Sequence, residues 1–167
     1  MSILQTSDFT GEFKISSTVY SDLTTYIETY EKKYLLELMG AELYGLFIAD
    51  LTPSTPQTPQ TQRFIDLFNS FAIDDSNCIR RSEGIKQMLI QFVYFHFVRD
   101  VNYEQTDTGV MRTVSEVSGI LPYNGFNLIE AYNNGVENFL NIQWFILDDP
   151  STYPEENTQI LAFTSGI

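Results

Sequence analysis

Cysteine and histidine are almost absent from this sequence, which contains one of each, Cys78 and His96. A single cysteine excludes a disulfide bond within the chain and a zinc site built from several thiolates. A single histidine likewise leaves a multi-histidine metal centre without its ligands. The sequence therefore predicts a protein that uses neither a metal nor another cofactor.

Long hydrophobic runs are also missing. No segment approaches the roughly 20 consecutive apolar residues that a membrane-spanning helix requires. The first residues, MSILQTSDFTGEF, have neither the basic region nor the apolar stretch of a secretory signal. We therefore expect no membrane partner and no signal segment.

Basic residues are few and unevenly distributed. Nine Lys and Arg residues stand against 22 Asp and Glu residues, which gives a net charge of −13. All nine bases lie at or before Arg112, so residues 113–167 contain acids and no base. Such a surface repels phosphate and disfavours adhesive binding to nucleic acid. It suits solubility, a basic protein partner, or a surface past which DNA moves without sticking.

The apolar pattern predicts a single, mainly α domain over residues 1–167, built as a bundle of about four to five helices. An extended N-terminal arm is expected at 1–16 and a C-terminal tail at 148–167. Residues 102–121 are rich in Thr, Val and Ser, and they predict an extended loop or hairpin inserted before the last helix.

Individual helices follow from the spacing of apolar residues and from helix breakers. The first is expected from about Thr18 to Met39, because Gly40 permits a break before a second apolar stretch. The segment 52–62 contains three prolines and predicts a surface loop. Three further helices are expected: a short one with Phe64, Leu67, Phe68 and Phe71 on one side, a buried one from Ile85 to Val101, and a last one from a capping box at Asn127 and Glu130 to about Leu147.

No arrangement of residues indicates catalysis. His96 lies inside the most apolar helix, where a packing role is expected rather than one as ligand or base. No nucleophile elbow and no phosphate-binding glycine loop is present. The sequence therefore predicts a protein that is not an enzyme.

Apolar residues in otherwise polar segments indicate contacts with other proteins. In the segment 102–121 these are Val110, Met111 and Val114, next to Arg112, the last base of the chain. In the tail they are Ile160, Leu161 and Phe163. Loops carried on a rigid scaffold commonly bind partners, so these seven residues are the predicted protein interface. The same residues would also make sense if they folded back on their own domain.

The order of segments resembles a known family. A tyrosine-rich first helix, then LLELMGAELYGLF, then a buried aromatic helix running into FVRDVNYEQTDTGVMRTVSE, precede a last long helix. This is similar to the small head–tail connector (adaptor, or head-completion) proteins of tailed bacteriophages. The resemblance covers about residues 17–147 and lies more in architecture than in a diagnostic motif.

The resemblance implies a structural protein of the virion neck, assembled in the host cytoplasm. Members of the family form a ring, often of about twelve subunits, that continues the DNA channel from the portal into the tail. It implies contacts of Gly109–Val117 with a neighbouring subunit or the next ring, and of the C-terminal tail with the portal protein. DNA would pass through the channel without specific binding, and no catalytic residue is implied.

Two other functions fit the sequence. A small acidic inhibitor, such as an immunity protein or a DNA mimic that blocks a basic enzyme, suits the low isoelectric point and the helical content. An enzyme or ligand-binding bundle that uses buried carboxylates ranks behind both.

Overall fold

The computed structural model describes residues 2–15, 20–75, 78–101, 103–106, 109–112 and 125–155. These residues form four helices, α1 (Tyr20–Asp50), α2 (Gln62–Phe68), α3 (Ile85–Val101) and α4 (Gly125–Asp148). They also form two antiparallel hairpins, β1 (Phe71–Asp75) with β2 (Cys78–Ser82), and β3 (Tyr103–Thr106) with β4 (Gly109–Arg112). The prediction of a mainly helical bundle with an insertion before its last helix is confirmed.

Helix α3 is the centre of the domain. Its residues Ile85, Met88, Leu89, Phe92 and Val93 are fully enclosed, as expected for a helix that is apolar nearly all round. Helix α1 packs on one side of it and α4 on another. Helix α4 approaches closely because Gly135 faces the ring of Phe92, and a Cβ atom at this position would come within 3.0 Å of that ring.

The predicted break in α1 is found at Gly40, whose backbone angles are φ 69° and ψ 175°. This conformation is essentially restricted to glycine. Before the break the helix buries Leu23, Ile27, Tyr34 and Leu38, and after it Leu43 and Phe47. The ring of Phe47 lies 5.4 Å from that of Phe64 in α2, so the second half of α1 holds α2 in place.

The β1–β2 hairpin was not predicted. Helix α2 ends at Phe68, and Phe71, expected on its apolar side, instead opens β1 and lies 4.8 Å, ring to ring, from Phe145 in α4. The register pairs Phe71 with Ser82 and Ala72 with Arg81. Gly84 then joins β2 to α3 with φ +88°, and a Cβ atom there would overlap with the carbonyl oxygen of Phe68.

Residues 2–15 of the predicted N-terminal arm fold back on their own domain. This segment contains two 3₁₀ turns, Thr6–Asp8 and Gly11–Phe13, and buries five side chains in the core of its own domain: Ile3, Leu4, Phe9, Phe13 and Ile15. The buried carboxylate of Glu31 accepts hydrogen bonds from Ser2 Oγ at 2.5 Å and from the Ile3 backbone N–H at 3.1 Å. Apolar burial and this carboxylate together fix the segment on α1.

The start of the predicted C-terminal tail, like residues 2–15, packs on its own domain. Tyr153 is buried and its hydroxyl donates to the backbone oxygen of Arg63 at 2.7 Å. The guanidinium of Arg63 pairs with Glu155 at 3.1 Å. The first residues of the predicted tail, up to Glu155, therefore pack on α2 of their own chain.

The start of the last helix differs from its prediction. Helix α4 begins at Gly125, two residues before the proposed cap, so Asn127 is a helical residue and not an N-cap. Its end at Asp148 agrees with the expected end near Leu147.

Candidate interaction surfaces

Three of the seven predicted interface residues lie in the β3–β4 hairpin. Strand β4 contains Val110, Met111 and Arg112, whose backbones pair with Gln105, Glu104 and Tyr103. Val114, Ile160, Leu161 and Phe163 lie outside the described residues. The hairpin follows α3 directly and forms a sheet separate from β1–β2. Whether these residues contact a partner stays a prediction.

A surface that was not predicted lies along the outside of α4. Ile129, Leu140 and Trp144 are 59%, 38% and 47% exposed. Half-buried Val136 and Leu147 continue the same row, because residues 7, 11 and 18 positions apart return to one side of a helix. We call these five residues the α4 stripe. A helix needs one apolar side for its core, so a second exposed one indicates a binding surface.

Acidic residues border the α4 stripe. Glu130 and Glu137 are exposed on the adjoining side of the helix, and neither forms an ion pair within the described residues. Near the end of the helix, Asp148 pairs with Arg80 at 2.5 Å, and the Arg80 guanidinium lies 5.1 Å from the Trp144 ring. The stripe is therefore apolar along its centre and negative along one border.

Helix α1 carries two adjacent lysines among six acidic residues. Lys32 and Lys33 are exposed, and between Glu28 and Glu37 they are the only exposed charged residues, since Glu31 is buried. We call them the lysine pair. The Lys33 ammonium lies 5.2 Å from the ring of Tyr34, which anchors it on the helix without neutralising it. Beyond Gly40, Leu46 and Ile48 expose apolar surface on the same helix.

A cleft of about 450 Å³ opens between the β1–β2 hairpin and the middle of α4. Its floor includes Ser82 and Asn138, and Arg81, Glu83 and Glu137 line its sides. The polar groups at its floor already have partners: Asn138 Nδ2 donates to Gln91 Oε1 at 2.9 Å, and Asn138 Oδ1 accepts from the Glu83 backbone N–H at 2.8 Å. We therefore interpret these polar groups as structural.

His96 is buried among aromatic rings, as its sequence context predicts. Its ring stacks on Tyr30 at 3.8 Å, and its Nε2 lies 2.7 Å from the Tyr34 hydroxyl. Its Nδ1 has no hydrogen-bond partner among the described residues. Burial, with smaller contributions from Arg99 and Lys33, lowers the pKa of His96 to about 4. The imidazole is therefore neutral at physiological pH and acts as a packing group.

Within the described ranges, no group of three or more His, Cys, Asp or Glu residues is placed to hold a metal ion. The helices in the same ranges are not long and apolar enough to cross a membrane. No protein-family model, curated protein or solved structure matches the chain. Its function is therefore inferred from its own residues and surfaces.

Proposed function

We propose that this chain is a structural virion protein, a head–tail connector (adaptor) subunit that forms a ring between the portal and the tail of a bacteriophage. It acts by protein–protein assembly without catalysis. Its partners are other copies of itself, the portal protein and the next ring or tail protein. DNA passes through the channel of the ring without specific binding.

The observation that supports this proposal most is the β3–β4 hairpin, inserted between the central helix α3 and the outer helix α4. Its two strands pair with each other and not with the β1–β2 sheet. A hairpin on a rigid helix is suited to reach a neighbour without disturbing the core. In the proposed ring, Val110, Met111, Arg112 and Val114 contact the adjacent subunit, and Ile160, Leu161 and Phe163 contact the portal.

A second candidate function is inhibition of a basic enzyme. It is favoured by the exposed Glu130 and Glu137, which lie without an internal cationic partner among the described residues. A DNA mimic presents acids at regular spacing to a cationic site. The apolar α4 stripe beside these acids favours assembly over DNA mimicry, because the phosphate surface of DNA carries no similar apolar stripe.

Native mass spectrometry of the chain, alone and with a candidate portal ring, tests the proposal. We expect the chain to join the portal in about twelve copies, the number that the family resemblance implies. Replacing residues 103–118 with a short Gly/Ser linker should leave the helical circular dichroism intact and abolish assembly. If the chain binds no portal and stays monomeric, yet binds a cationic nuclease one to one, the inhibitor proposal would replace the connector proposal.

A further inference from the structure

Strand β1 bonds to β2 along one edge only. Two residues separate Asp75 from Cys78, and the residues that close a two-residue hairpin loop exchange hydrogen bonds across the two strands. Bonded and non-bonded pairs alternate along an antiparallel ladder, so Ile73 also bonds to β2. The N–H and C=O groups of Ala72 and Asp74 therefore point away from β2. We call them the free edge of β1.

The opposite edge of the hairpin is already covered. The backbone oxygen of Arg81, which lies across from Ala72, accepts a hydrogen bond from Asn141 Nδ2 in α4 at 2.7 Å. This bond agrees with the alternation, because it requires the Arg81 oxygen to be available outside the ladder. Ala72 and Asp74 are exposed, and within the described ranges their backbone groups have no hydrogen-bond partner. The hairpin can thus accept a further strand beside β1 and not beside β2.

The free edge selects the chemistry of the strand that it accepts. An unpaired edge bonds to the main chain of an extended segment, whatever its sequence. The exposed Asp74 disfavours an acid opposite it, since like charges across a ladder are destabilising. Phe71 and Ile73, half-buried on one face of β1, favour apolar side chains at alternate positions. The segment that fits is extended, uncharged and partly apolar.

The end of the chain has this composition and begins near β1. Residues 157–167 contain neither an acid nor a base, and they include Ile160, Leu161 and Phe163. The buried ring of Tyr153 lies 6.3 Å from that of Phe145, which in turn lies 4.8 Å from Phe71 at the start of β1.

The length of the remaining chain permits the contact. The described part of the tail ends at Glu155, and twelve residues follow it in the sequence. Twelve extended residues span up to about 40 Å, several times the spacing between these rings. A segment tethered at this short distance has a high effective concentration at the free edge, so its own chain is favoured over a second copy.

We propose that residues 159–164 add to the free edge of β1 as a third strand in the unassembled chain. Leu161 and Phe163, two positions apart, then lie on the same face as Phe71 and Ile73. This inference goes beyond the proposed function. It covers two residues that the proposed portal contact uses, so the portal would have to displace this strand.

Amide hydrogen exchange, followed by NMR on the full chain, tests the third strand. The amides of Ala72 and Asp74 should exchange at least about tenfold more slowly in the wild-type chain than in L161D/F163D, which places acids beside Asp74. The amide of Ile73 bonds to β2 and should exchange equally in both proteins. Helical circular dichroism should also be equal, because both substitutions lie outside the described helices.

The control N157D/I167D makes the same change in net charge outside residues 159–164, and it should keep the slow exchange at Ala72 and Asp74. Sedimentation identifies the source of the strand. Exchange rates that are independent of protein concentration, in a chain with the mass of a monomer, support the strand from the same chain.

Three results would overturn the proposal. The first is equally fast exchange at Ala72 and Asp74 in the wild-type chain and in L161D/F163D. The second is a control that loses the slow exchange as completely as L161D/F163D. The third is slow exchange that appears only as the mass doubles, which would assign the strand to a second copy. Incorporation of the wild-type chain into a portal ring, measured separately, would still support the connector in each case.

Discussion

The two sides of α3 are buried by different chemistry. Toward α1, the contact is aromatic: Phe92 stacks on Tyr34 at 3.8 Å, and His96 stacks on Tyr30 at the same distance. Toward α4, amide groups also meet, where Gln91 accepts from Asn138 and donates to Glu83 at 3.0 Å. Stacked rings tolerate small displacements, whereas hydrogen bonds between amides require one geometry. A hydrogen bond also joins α1 to α3, between the Tyr34 hydroxyl and His96 Nε2, so both helices are held in register on α3, α1 with stacked rings and α4 with an amide pair.

The largest effect is expected from Phe92→Ala. Phe92 is fully buried, stacks on Tyr34 and contacts Tyr132 in α4. Its loss should lower the free energy of unfolding by about 3–5 kcal/mol, through lost apolar burial and the remaining cavity. Urea unfolding followed by circular dichroism measures this change. Phe92→Leu is the matched control with a smaller cavity, and a loss below about 1 kcal/mol for Phe92→Ala would show that the rings are not central to stability.

A smaller loss, about 1–3 kcal/mol, is expected from Asn138→Ala. The substitution removes the donor to the buried Gln91 Oε1 and the acceptor of the Glu83 backbone N–H. The double variant Gln91→Leu/Asn138→Leu should lose less free energy of unfolding than its two single variants lose in sum, because it removes both polar partners together. Asn134→Ala, at an exposed position of the same helix, is the control and should change stability by less than about 0.5 kcal/mol. Equal losses at 134 and 138 would contradict a register-fixing role for the amides.

The smallest effect concerns pH on the aromatic side. The pKa of His96 is about 4 in the folded chain, below its usual 6.5. The unfolded chain therefore takes up a proton first as pH falls, and stability decreases from about pH 6.5 down to about pH 4. Between pH 7 and pH 5.5 this group should contribute a loss of about 1 kcal/mol.

Urea unfolding at the two pH values, compared between the wild-type chain and His96→Gln, isolates that contribution. Glutamine can still bond to the Tyr34 hydroxyl but does not titrate, so the variant should lose less stability over this interval. An identical pH dependence in both proteins would show that His96 is accessible to protons in the folded state.

Patterns local in the chain predicted much of the fold. The largely apolar helix Ile85–Val101, the break at Gly40 and the Thr/Val-rich segment after α3 each have a cause within a few residues. The β1–β2 hairpin had no such signal, because Phe71 continues the helical spacing of Phe64, Leu67 and Phe68. Its strand is favoured by contact with Phe145, which lies far away in the chain.

The N-terminal segment and the α4 stripe show two other limits of prediction from the sequence. Residues 2–15 form no regular helix or strand, and their place depends on Glu31, which sequence spacing does not reveal. The stripe was visible in principle, since Ile129, Val136, Leu140 and Trp144 recur at helical spacing beside the row that faces the core. It was missed because only one apolar side of the last helix was sought. The predicted interface residues at 114 and 160–163 lie outside the described residues and stay predictions.

Gly40 and Gly84 restrict the sequences that this fold can accept, for different reasons. Both have a positive φ that favours glycine. The space around Gly40 is open, whereas a Cβ atom at Gly84 would overlap with the backbone of Phe68 and Asn69. A larger residue at position 40 would strain one helix locally, but at position 84 it would push α2 away from the start of α3. Over evolution, substitutions should therefore be rarer at position 84 than at position 40.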